Sequence, residues 1–329
     1  MKKFLVATAL IAFATFATAP AAWAEGNMRK VGMVTFFSVD VASRSPVLMR
    51  MMDTIRASVP SQNVTFELRS AEGKNDRYPQ IVTDLVQQHV DVIYAPQGPA
   101  ALAAQQITTT VPVVFYIAAN PVTFGLVKSL EKPGGNLTGV YEEIPDFQSK
   151  RMALLKEMVP QAKTIGILWD AHSWGERTGS EMARRAEKAV LAAGARAEIV
   201  AVRGPDDLER AFSLLKQAQV DGLLLEQSPV FIFQAKKLAE LAAEAKIPVI
   251  YPLSNYTQAG GLASLGPDSA DNLQRAVGYI EKILKGANPA DLPVDGSEKP
   301  FLTVNSKAAK DLGIAIPPQV QARADSIIE

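Results

Sequence analysis

The 329-residue sequence contains no cysteine. Disulfides, thiolate metal sites and thiol nucleophiles are excluded together, and so is a lipid-modified cysteine that would tether an exported chain to a membrane. Histidine is almost as scarce: His89 and His172 are the only two, and they lack metal-ligand spacing. The phosphate-cradling glycine loop, the dinucleotide fingerprint, the paired-histidine metalloprotease motif and the nucleophile elbow are all missing. No catalytic centre, metal or cofactor is therefore expected. Acidic and basic residues balance at 34 each, so bulk charge favours neither nucleic acid nor an anionic membrane surface. What is present, 48% hydrophobic and 21% charged residues, suits a soluble chain of one large or two ordinary domains.

Residues 1–24 read as a signal peptide. Lys2 and Lys3 form a positive start, residues 4–16 an apolar run too short to span a bilayer, and Ala22-Trp23-Ala24 a small-x-small cleavage pattern before Glu25. Loss of Lys2 and Lys3 leaves 32 basic residues against 34 acidic, a mature charge of about −2. An exported chain with no direct membrane anchor needs an enclosed compartment, which points to the periplasm.

The most legible stretch is 111–141. Val111, Val113, Val114, Phe115 and Ile117 suit a buried strand, Asn120-Pro121 should break it and start a short helix, and Pro133-Gly134-Gly135-Asn136 should stop that helix. Residues 137–141 then read as a strand carrying the chain out of one lobe into a second built the same way. Before it, strands at 30–37, 63–70 and 90–95 alternate with helices at 46–59, 78–88 and 99–107. After it, Asp146 is expected to cap a helix at 147–159. Strands at 163–169, 195–202, 220–225 and 247–251 then alternate with helices at 176–193, 206–217 and 231–245. Such alternation predicts an α/β protein of two similar doubly wound parallel-sheet lobes. The first is expected to hold residues 25–141 plus 261–288, the second 142–260 plus 289–329.

Two internal echoes support duplication. His89-Val90-Asp91-Val92-Ile93 matches Gln219-Val220-Asp221-Gly222-Leu223, and Val111-Pro112-Val113-Val114 matches Ile247-Pro248-Val249-Ile250, in the same order.

Parallel sheets bind ligands beyond the carboxyl ends of their strands, preferentially between domains. The loops at those ends give a candidate set of Phe36, Ser38, Gly98, Pro99, Asn120 and Tyr141 from the first lobe. Trp169, Asp170, Trp174, Gln227, Ser228 and Tyr256 come from the second, with Phe37, Gln97, His172, Ser173 and Asn255 beside them. Aromatics and short polar groups dominate, which suits a small ligand with an apolar body and few polar ends. Gly98-Pro99 opens a helix whose free N–H groups could receive a carboxylate, or is merely a turn. Asp170 could receive an ammonium, or merely cap. Glu142, Glu143 and Asp146 read as charges at a helix start rather than as an acid–base pair.

The pattern Asn120-Pro121 with Lys132-Pro133-Gly134-Gly135-Asn136-Leu137-Thr138-Gly139-Val140 resembles bacterial ABC-transporter substrate-binding proteins of the tryptophan/tyrosine type. So do Gly260-Gly261-Leu262 with Gly266-Pro267-Asp268, Lys282-Ile283-Leu284-Lys285-Gly286 with Pro289-Ala290-Asp291-Leu292-Pro293-Val294, and the tail from Leu312-Gly313-Ile314 to Arg323-Ala324-Asp325. The resemblance spans essentially the whole mature chain. It implies a type I periplasmic binding fold with three crossovers, and a monomeric receptor that delivers a small, amino-acid-like ligand to an inner-membrane ABC permease after hinge closure. Gly98 stands where the family's loop carries threonine, and Gln227-Ser228 where it often carries Asp-Asn. A ligand-sensing subunit of a membrane signalling receptor is the alternative; a periplasmic enzyme is disfavoured by the missing catalytic motifs.

Overall fold

The computed structural model describes residues 28–59, 63–117, 120–297 and 299–329, without the side chains of residues 46, 172–178, 229 and 297. The signal-peptide reading lies outside the described residues.

Lobe 1 begins with β1 (Arg29–Thr35), α1 (Val39–Ser43), α2 (Pro46–Ser58), β2 (Val64–Ser70), α3 (Tyr78–Gln87), β3 (Val92–Ala95), α4 (Gly98–Ile107), β4 (Val113–Ile117) and β5 (Leu137–Glu142). Alternate strand residues serve opposite faces of the sheet. Val31, Met33, Val92, Tyr94 and Val114 pack beneath α2, whereas Val34, Ile93, Val113, Phe115 and Tyr141 pack with α3 and α4. At 120–126 the chain makes a turn rather than the expected helix, with Phe124 N–H bonding to the Asn120 carbonyl (2.9 Å) and Leu126 N–H to the Pro121 carbonyl (2.8 Å). Gly139 is required by proximity: a Cβ there would press on the Phe115 backbone of the neighbouring strand.

Lobe 2 follows with α5 (Phe147–Met158), β6 (Thr164–Asp170), α6 (Ala171–Ala192), β7 (Arg196–Val202), α7 (Leu208–Gln217), β8 (Gly222–Leu225), α8 (Pro229–Phe233), α9 (Ala235–Ala245), β9 (Val249–Tyr251), α10 (Ser254–Gln258) and β10 (Ala263–Gly266). Asp146 precedes α5 in a left-handed conformation (φ 53°) and its side chain makes no capping bond, contrary to the expectation. The chain then forms α11 (Ser269–Leu284), β11 (Asp295–Ser297), β12 (Phe301–Asn305), α12 (Ser306–Asp311), α13 (Pro318–Ala322) and β13 (Ser326–Ile328).

The sheet of lobe 1 has the order β11-β5-β4-β3-β1-β2, and that of lobe 2 β13-β12-β10-β9-β8-β6-β7. Lobe 2 is mixed, because β10 pairs antiparallel with β12. β10 runs toward the crossing and β12 returns from it, so the two must oppose.

Two expected boundaries are corrected. The stretch from 261 does not join lobe 1, since β10 lies in the lobe 2 sheet; only α11 crosses back, its Ala276, Ile280 and Leu284 packing on Val31 and Met33. Nor does lobe 2 resume at 289, because β11 pairs with β5 at the edge of lobe 1 (Asp295 opposite Val140). The crossings therefore follow β5, β10 and β11.

The sequence echoes have a physical basis. His89 (φ 55°) and Gln219 (φ 50°) each leave a helix through the left-handed region. Asp91 then accepts from Lys30 N–H (2.8 Å), as Asp221 accepts from Lys163 and Thr164 N–H (2.7 and 2.9 Å). The Pro112 and Pro248 carbonyls receive the N–H groups of Ile93 (2.9 Å) and Leu223 (2.8 Å), respectively.

Candidate functional site

In each sheet, chain order reverses between two central strands: β3 and β1 in lobe 1, β8 and β6 in lobe 2. The loops beyond those carboxyl ends form the crevice where such sheets bind ligands. One contact shows that these ends face one another. The Phe37 ring, beyond β1, lies 3.8 Å from the Phe233 ring of α8, centroid to centroid, at 51°.

The β1 loop is pinned from behind. Ser70 donates its hydroxyl to the Phe37 carbonyl (2.6 Å), and Gly73 N–H bonds to the Phe36 carbonyl (2.7 Å). This buries Phe36 in the core and leaves Phe37 toward lobe 2. Ser38 is exposed and caps α1 by accepting from Val41 N–H (3.4 Å). At the α4 start, the Tyr78 hydroxyl donates to the Gln97 carboxamide oxygen. A Cβ on Gly98 would lie 2.9 Å from the Phe124 ring, so only glycine lets that ring cover the helix end so closely. Pro99 occupies the first turn, half-buried. Asn120 spends its side-chain oxygen on Val122 and Thr123 N–H (3.0 and 3.3 Å), holding the turn that carries Phe124.

On the lobe 2 side, Asp170 is 1% exposed and accepts the Ser228 hydroxyl. Ser228 itself accepts from Phe231 N–H (3.3 Å), so one side chain ties β6 to the start of α8. Beneath lies a fully buried ion pair. Arg151 of α5 donates to Glu226 (3.1 Å), to the Leu225 carbonyl and to the Ile250 carbonyl (2.7 Å), while Gln148 donates to the other Glu226 oxygen (2.8 Å). Burial lowers the Arg151 pKa and raises that of Glu226; their mutual attraction opposes both shifts.

Glu142, 9% exposed, accepts from the Tyr116 hydroxyl and from Asn272 of α11 (3.2 Å). Burial raises its carboxyl above the ordinary 4.5, against the pull of the Tyr116, Asn272 and Gln227 hydrogen bonds. Burial and this carboxylate together push the Tyr116 phenol up. Glu142 is thus the end of a strand, not a charge at a helix start.

Four of the expected aromatic contacts lie in the core. Phe36, Tyr141, Trp169 and Tyr256 are core residues, each 5% exposed or less. Strand alternation turns Trp169 beneath α6, where Gly179 makes room for its ring. Tyr141 lies against Gly296, and Tyr256 stacks on Tyr251 at 5.2 Å and 11°. Trp174, with His172 and Ser173, lies in α6 rather than a loop, because that helix starts at Ala171; its side chain falls outside the described residues. Asp170 and Ser228 do come together on lobe 2, with Gln227 beside Ser228 in the chain, and on lobe 1 Asn120 holds the turn that brings Phe124 over Gly98. Arg151, Glu226, Tyr116, Asn272 and Phe233 were not anticipated. A legible signal existed for Arg151, which shares the buried face of α5 with Leu154, Leu155 and Met158.

Among the described residues no cluster of histidine and carboxylate groups could hold a metal, and no helix is long and apolar enough to cross a membrane. The family described as ABC transporter substrate binding protein matches residues 56–328. A tyrosine-binding protein of Clostridioides difficile (strain R20291) is 26% identical over 256 residues, covering 76% of this chain and 71% of that protein. An ABC domain from Streptococcus pneumonia, solved in complex with L-Trp, superposes with a TM-score of 0.75 at 26% identity, covering 92% of this chain and all of that one. A conserved domain protein from Vibrio cholerae gives 0.75 at 27% identity with the same coverage.

Proposed function

The chain belongs to the ABC transporter substrate-binding proteins, extracytoplasmic receptors rather than enzymes, and from that membership we propose that its ligand is an aromatic amino acid of the tryptophan/tyrosine class. The observation carrying this reading is the likeness, over most of the chain, to a tyrosine-binding protein and to a domain holding L-Trp. The polar ends of the crevice suit a zwitterion. The start of α4 at Gly98-Pro99 offers N–H groups to a carboxylate. Asp170, oriented by Ser228, offers a counter-charge to an ammonium. Phe37, Phe124 and Phe233 supply apolar surface for a side chain. A ligand touching both lobes binds the closed form better and shifts the equilibrium toward it. The partner of the closed form is an inner-membrane ABC permease. The mature protein works as a periplasmic monomer released by cleavage after Ala24.

Titration calorimetry of the mature protein with L-tryptophan and L-tyrosine tests the reading, with L-alanine as control. Micromolar or tighter binding, about −8 kcal/mol, is expected for one of the two aromatic ligands. Absence of heat for both, with the protein folded by circular dichroism, would overturn it.

A further inference from the structure

Gly98 opens α4 just beyond the carboxyl end of β3, on one side of the point where chain order reverses in the lobe 1 sheet. Its backbone lies outside the left-handed region, so no turn demands glycine there. The space of its missing side chain is taken by Phe124. A Cβ at position 98 would lie 2.9 Å from Cζ and 3.1 Å from Cε1 of that ring, inside the about 3.5–4.0 Å at which carbon atoms pack best.

The backbone that carries this ring is fixed on both sides. Before it, Asn120 accepts from Val122 and Thr123 N–H (3.0 and 3.3 Å). After it, Leu126 N–H bonds to the Pro121 carbonyl (2.8 Å), and Leu126 and Val127 are buried in the lobe 1 core. Gln105, two turns along α4, donates to the Gly125 and Leu126 carbonyls (2.6 and 3.2 Å). The turn is therefore tied to the same helix whose start the ring covers. Phe124 is nonetheless 37% exposed. An exposed ring held in place beside the crevice is a preformed wall.

We propose that the Gly98–Phe124 contact sets the preference of the crevice for aromatic over aliphatic ligands, with Phe124 as the stacking face and Gly98 as the residue that lets it stand there. The inference rests on the proposed reading of the chain as an aromatic amino-acid receptor and names the pair that makes the choice. A ring fixed before ligand arrives loses little freedom on binding. Offset stacking favours an aromatic ligand beyond what apolar burial gives any side chain of similar area, so the preference lies in the π-face of the ring rather than in its bulk.

Calorimetry of the mature protein and four variants with L-tryptophan, L-tyrosine and L-leucine tests the assignment, with folding of each variant checked by circular dichroism. Phe124→Leu keeps apolar bulk but loses the π-face, and should weaken binding of the aromatic ligand about tenfold with no parallel loss for L-leucine. Phe124→Tyr restores the face and should bind the aromatic ligand more tightly than Phe124→Leu. Gly98→Ala leaves the ring intact but pushes it aside, and should reproduce the Phe124→Leu pattern. The double variant Gly98→Ala/Phe124→Leu should match Phe124→Leu alone within about twofold, because no ring remains to be displaced, whereas independent sites would add their losses. A Phe124→Leu variant with the parent's aromatic preference, or losses that add in the double variant, would overturn this assignment alone. A parent that binds neither tryptophan nor tyrosine would overturn the ligand reading and this assignment with it.

Discussion

Arg151→Ala is the most informative single perturbation of the scaffold beneath the crevice. Arg151 and Glu226 are both buried, and Arg151 also holds the carbonyls of Leu225 and Ile250, joining α5 to the carboxyl ends of two strands. Truncation would leave Glu226 buried without its counter-charge and two carbonyls without their donor. Breaking a buried pair from one side costs about 3–5 kcal/mol. For a unit of this size each kilocalorie lowers the melting temperature by about 2–4 °C, so a fall on the order of 10 °C is expected. The assay is urea and thermal unfolding followed by tryptophan fluorescence. Of the three tryptophans, Trp23 lies in the expected signal segment and Trp169 and Trp174 lie in lobe 2, so the signal reports on the lobe in question. The double variant Arg151→Met/Glu226→Leu, which removes both charges and keeps bulk, should recover most of the loss, because an apolar replacement of a buried pair is often neutral. A loss in Arg151→Ala below about 1 kcal/mol would refute the reasoning, since that is the range of an exposed pair.

Other consequences are as specific. Trp169→Ala should cost about 3–5 kcal/mol of stability as a core truncation, yet leave the affinity of the folded fraction within about twofold by calorimetry; a selective loss of affinity would return Trp169 to the ligand. Asp170→Asn should weaken aromatic amino-acid binding by at least tenfold, on the order of 1.4 kcal/mol, with unfolding little changed; equal affinity would remove Asp170 from the site. Glu142 has a folded pKa raised above its unfolded value of 4.5. Its contribution is full below that value and is lost as pH rises through the folded one. The parent should therefore lose stability relative to Glu142→Gln as pH rises above 4.5 in urea unfolding, and parallel profiles would contradict this assignment.

The fold was legible because each βαβ step leaves a periodic trace, and because the turn before β3 recurs before β8 with an aspartate tying the same strands. The later crossings were not legible. β10 and β11 are strands of only four and three residues, and which sheet receives them depends on edges available only in three dimensions. The burial of the aromatic candidates was not legible for a simpler reason. Position at a strand end says that a residue is near the crevice, but side-chain alternation decides whether it faces the crevice or the core, and Trp169 and Tyr141 alternate inward. Phe36 and Phe37 show the same choice between neighbours. Glu142 was misread because β5 runs one residue beyond the expected end, which turns a helix-start charge into a buried hinge group.

Small-angle X-ray scattering of the mature protein during titration with L-tryptophan or L-tyrosine tests binding and closure together. The radius of gyration should fall and saturate with one of these amino acids at the stoichiometry of a single site, and stay constant with L-alanine. Saturable binding with no contraction, or no response to either aromatic amino acid, would contradict a receptor that works by closing two lobes on its ligand.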